Sequence, residues 1–126
     1  MKWLQEWISN RTPWIFEKSK VPVVLSKLSP IDIWAVSIGC FVFCKGKMSK
    51  TTRRHEIIHY HQQLELLFVG QWLLYLGFFL YGLLKHRSGK TAYRENPFEK
   101  EARDNEKKYT YLRKRPLWNW KNYIGS

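Results

Sequence analysis

The sequence predicts an α+β domain: short antiparallel strands, a long helix, an apolar helical hairpin and a C-terminal basic helix. Three observations carry that expectation. Residues 31–38 and 40–44 are β-branched and aromatic runs separated by Gly39. Ser49, Thr51 and Thr52 offer N-cap hydroxyls to a helix that continues into Leu64, Leu66 and Leu67. Asn96-Pro97 is a cap followed by a first-turn proline, and it opens a charged stretch that ends near Lys114.

The elements follow in order. An aromatic, basic N-terminal segment spans residues 1–25, with Trp3, Trp7 and Trp14 set beside Lys2, Arg11, Lys18 and Lys20. Gly39 suits a turn or bulge between the two strands, and Lys45-Gly46-Lys47 closes the second. Residues 112–126 form a basic, aromatic tail with Trp118, Trp120 and Tyr123 beside Arg113, Lys114, Arg115 and Lys121. A chain of 126 residues is expected to hold one domain with one modest core.

The helix after the strands carries the chemistry. It contains His55-Glu56-Ile57-Ile58-His59, an HExxH. Two histidines four apart on a helix point the same way, so their imidazoles can take two corners of a zinc tetrahedron. Glu56 leans over the same position, where it can accept a proton from water. His61 lies about 240° around the helix from His55, which sets it away from a shared metal and leaves it packed, exposed or in a supporting role. Gln62 is placed to hydrogen-bond near the metal.

Two histidines need a third ligand. A further histidine six residues after His59 would fall at position 65, which is Glu65, and the glycine of that pattern is also missing. The remaining source is a carboxylate from a later helix. In Tyr93-Arg94-Glu95-Asn96-Pro97-Phe98-Glu99-Lys100-Glu101-Ala102-Arg103, Glu99 falls in the first turn, and the small Ala102 allows close helix approach.

An HExxH followed some forty residues later by Phe98-Glu99-x-x-Ala102 resembles the gluzincins. It is similar to the M48-type metallopeptidases and to very small HExxH proteins with a downstream Asn-Pro-Phe-Glu-x-Glu-Ala. The resemblance covers roughly residues 31–111. It implies a minimal zincin-like domain, a zinc ion held by His55, His59 and Glu99, packing roles for Phe98 and Ala102, and hydrolysis of peptide bonds in a peptide or protein substrate. Glu101 is the alternate third ligand. Larger M48 enzymes usually place an Asp after the Ala, whereas this chain has Arg103, with Asp104 one further on. Tyr93, Tyr109 and Tyr111 are equivalent candidates for an oxyanion donor.

Residues 66–84 hold no charge, and Gln71 is their one strongly polar side chain. By hydropathy this is a candidate membrane span. A single crossing would leave Glu99 across about 30 Å of hydrocarbon from the histidines. The segment is therefore expected to double back near Gly77, as a buried hairpin or one dipping into a single leaflet.

Lys plus Arg number 22 against 10 Asp plus Glu, a net charge of +12. With the aromatic termini, that balance fits first rings packed in the core beside a solvated charged face, then a membrane surface, and nucleic acid after both. A scaffold or assembly component within a larger complex is the non-enzymatic alternative. Gln5 and Glu6 interrupt the first apolar run, so no secretory signal is legible and an intracellular place, cytoplasmic or membrane-associated, is expected. Cys40 and Cys44 stand too far apart along a strand to bridge, which fits a reducing compartment.

Overall fold

Ser49 caps the long helix. Its hydroxyl accepts from the Thr52 N–H, and α3 runs from Lys50 to Glu65 behind it. A computed structural model describes residues 2–28 and 33–125 and shows a mixed α+β chain built around this helix. Before it come α1 (Lys2–Ser9), β1 (Trp14–Phe16), α2 (Val21–Leu28), β2 (Ala35–Ile38) and β3 (Phe41–Cys44). After it come α4 (Val69–His86), α5 (Gly89–Glu95), α6 (Pro97–Asn105), α7 (Tyr111–Lys114) and a 3-10 turn (Asn119–Tyr123).

The sheet has the order β1-β3-β2. β2 and β3 pair antiparallel through Ala35↔Cys44 to Ile38↔Phe41, and Gly39 turns between them at φ +60. β1 pairs parallel to β3, an addition that the short Trp14-Ile15-Phe16 run did not announce. It places β3 in the centre of the sheet; by sequence, residues 40–44 are a candidate exposed edge above the helix for an extended substrate strand, and pairing on both sides rules that out. The edge beside α3 is β2. Residues 31 and 32 of the expected first strand lie outside the described residues, and Cys40 belongs to the turn.

The apolar segment also differs from expectation. α4 runs unbroken through Gly77, and the chain turns before and after it instead. α3 and α4 meet at 113° across Leu66–Phe68, where Leu67 and Phe68 both hold positive φ. The second turn, at Arg87 and Ser88, sends α5 back along α4. Gly82 permits that pairing, because a Cβ there would stand 2.9 Å from the Ala92 Cα and Cβ. Gly77 meets nothing, so it costs the helix only its propensity. No single helix among the described residues is long and apolar enough to cross a membrane.

The expected basic helix from Pro97 to Lys114 is two helices, α6 and α7. The core joins α3, α6 and the sheet through Val42, Cys44, Ile57, Ile58, Phe98 and Ala102, all at or below 2 % exposure.

Candidate metal centre

Asn96 starts α6 by accepting from the Phe98 N–H, and its side-chain amide donates to the Tyr75 carbonyl of α4. That clamp ties the first turn of α6 to α4, and Gln62 ties it to α3 through the Phe98 carbonyl. Glu99, in this turn, is thereby aimed at the face of α3 carrying His55 and His59. Glu99 Oε1 lies 3.1 Å from His55 Nε2 and 3.0 Å from His59 Nε2, and the two nitrogens are 3.2 Å apart. Donor atoms about 2.0–2.1 Å from one tetrahedral zinc stand about 3.3–3.4 Å from each other, so these three lie close enough to hold a metal ion.

The proton inventory makes the same point. Gln62 Nε2 donates to the Phe98 carbonyl and to Glu101 Oε1, both at 3.0 Å. Its Oε1 must then face His59 Nδ1, 2.8 Å away, and that nitrogen must carry the hydrogen. His55 Nδ1 donates likewise to Glu106 Oε2 at 2.9 Å. In their neutral form both rings then present Nε2 lone pairs to each other and to the Glu99 carboxylate. A proton or a metal cation between the three atoms reconciles them.

The electrostatics agree. Burial works against a charged His55 ring, but the carboxylates of Glu106, Glu99 and Glu56 outweigh it and lift the ring to about 10. His59 is raised as well, with burial opposed chiefly by Glu99. Burial would also push Glu99 up, yet the two histidines hold it well below the usual carboxylate range. The pocket stabilises positive charge at one point, which a proton or a metal cation can supply.

Glu56 stands beside that point, its Oε2 3.9 Å from His55 Nε2. Burial raises its affinity for a proton above that of an ordinary Glu, with the two histidines opposing. Tyr75 donates to Glu99 Oε2 at 2.7 Å. Tyr93 lies nearby, and burial, followed by Glu99, drives its pKa far above the usual tyrosine value. These groups line a cavity of about 680 Å³ walled by β2, α3, α4 and Tyr93.

The other candidates stand elsewhere. Glu101 is turned away from the histidines and bonds Gln62, Tyr111 and Arg115. Arg115 also grips Glu65 through two hydrogen bonds of 2.9 and 2.7 Å, and all three side chains are buried. Burial and the Arg11 carbonyl place His61 apart from the metal group, with its pKa lowered to about 4, chiefly by desolvation. Tyr109 is 85 % exposed with the Arg54 guanidinium over its ring, and Tyr111 serves Glu101.

Sequence reasoning missed Glu106, Tyr75 and Arg115. Glu106 follows Glu99 by seven residues, two helical turns, and that spacing was the one available signal. Comparison with protein-family models, with curated proteins and with solved structures finds no match.

Proposed function

We propose that the protein is a zinc-dependent hydrolase of peptide bonds, of gluzincin type. The observation that carries the reading is the convergence of His55, His59 and Glu99 on one point with the buried Glu56 carboxylate beside it. Two imidazoles and one carboxylate are a donor set suited to catalytic zinc, which leaves a coordination position open. Bound there, zinc supplies a Lewis acid for a scissile carbonyl and lowers the pKa of water.

The remaining steps belong to the side chains. Glu56 accepts the proton of the attacking water and returns it to the leaving amine, a role that its raised proton affinity favours. Tyr93 keeps its phenolic hydrogen at every physiological pH, so it can donate to the oxyanion that forms as the carbonyl is attacked. Gln62 and Glu106 hold the two imidazoles in the tautomer that leaves Nε2 free.

An extended peptide suits the cavity wall. β2 is an edge strand, and Ala35 and Ser37 share the side that faces away from β3. Gln63 already takes the Ser37 carbonyl, which leaves Ala35 to pair with a substrate strand.

The test is Glu56→Gln, which keeps the shape and removes the base. Cleavage of a broad peptide library should vanish while zinc content stays at the wild-type level. Undiminished cleavage by the variant would exclude Glu56 as the base. A zinc-loaded wild type that cleaves nothing would favour a non-catalytic scaffold.

A further inference from the structure

On α4 the burial pattern is inverted. Gln71 is 4 % exposed, and the Tyr75 hydroxyl turns inward to Glu99, while Leu73, Leu76, Leu80 and Leu84 are 66, 53, 50 and 82 % exposed. Together with Val69 and Trp72, these leucines recur at the three- and four-residue spacing of one helix face. They form a stripe about 22 Å long. No charged residue interrupts α4 before Lys85, and exposed Lys85, His86, Arg87 and Lys90 follow at once. An apolar stripe ending in a cluster of cations has a specific complement.

We propose that this face of α4 docks the protein flat on an anionic lipid surface. Val69, Leu73, Leu76, Leu80 and Leu84 enter the acyl boundary, and Lys85, Arg87 and Lys90 meet lipid phosphates. Tyr81, 63 % exposed, suits the headgroup level with its amphipathic ring. Charge decides between lipid and a second copy of the chain. A second copy would bring another net +12 against the first, whereas an anionic bilayer offers apolar area and opposite charge together. α4 lies along the surface and does not cross it, because Tyr75 ties its middle to Glu99. Trp72 and Leu76 also line the metal cavity, so the docked protein opens that cavity toward the lipid.

Docking stands independently of the hydrolase reading and is tested without any substrate. The full-length protein is floated with vesicles of phosphatidylcholine alone or of phosphatidylcholine and phosphatidylglycerol at three to one. Wild type should partition onto the anionic vesicles, with binding at least about tenfold weaker to the neutral ones. Leu73→Ser with Leu80→Ser should lower that partition by about tenfold or more, with circular dichroism unchanged. Lys85→Ser with Lys90→Ser should remove most of the preference for anionic lipid. The proposal is overturned if folded wild type floats with neither vesicle, or if the leucine variant binds as wild type does. It is equally overturned if sedimentation shows a dimer that the leucine variant dissolves, since the face would then belong to a second copy.

Discussion

The Glu106 carboxylate lies 2.9 Å from His55 Nδ1, on the side of the ring away from Glu99. Its acceptor holds the ring hydrogen on Nδ1 and leaves Nε2 facing Glu99 and His59, where a metal ion would be held. Glu106→Gln keeps an acceptor but removes the charge that makes the imidazole a stronger ligand. Zinc affinity should fall about 10–100-fold, read by competition with a chromophoric chelator. Affinity equal to wild type would mean that Glu106 does not support the ligand.

Tyr93 and Tyr75 both approach Glu99. Tyr93→Phe leaves the Tyr75 bond to Glu99 Oε2 in place, so zinc should be retained. If Tyr93 serves the oxyanion, kcat falls about 10²–10³-fold while KM changes little. A loss confined to KM would move Tyr93 from catalysis to substrate binding.

Gly77 and Gly82 give opposite expectations within one helix. Gly77→Ala adds a methyl in open space and should stabilise the fold by about 0.5–1 kcal/mol. Gly82→Val drives side-chain atoms into the Ala92 backbone and should destabilise by about 1–3 kcal/mol. Urea denaturation of the two variants checks both signs at once.

Arg115 joins Glu65 at the end of α3 to Glu101 in α6, and all three are buried. Arg115→Met would leave two buried carboxylates without their cation, a loss of about 3–5 kcal/mol. Stability unchanged in urea would show that the carboxylates find protons or other partners without strain.

The parts of the site legible in the sequence are those set by local periodicity. The spacing of His55 and His59 and the Asn96-Pro97 helix start are local signals, whereas the choice of Glu99 over Glu101 as third ligand comes from the resemblance to gluzincins. What could not be read depends on tertiary contact. Leu67 and Phe68 make the sharp turn although neither is glycine, because Gln63 anchors both sides of it. Its carbonyl accepts from the Phe68 N–H, and its side chain binds the Gly39 N–H and Trp72. Gly77, the residue best suited to a bend, is spanned by an intact helix. The same logic hid Arg115, a buried cation that composition had assigned to a basic tail.

The central claim is one zinc ion held by His55, His59 and Glu99. Native mass spectrometry of the purified protein, after removal of loosely bound metal, weighs that ion directly. The account predicts one zinc per chain in wild type and none in a His55→Ala, His59→Ala double variant. Zinc missing from a folded wild type offered the metal, or retained in full by the double variant, would contradict it.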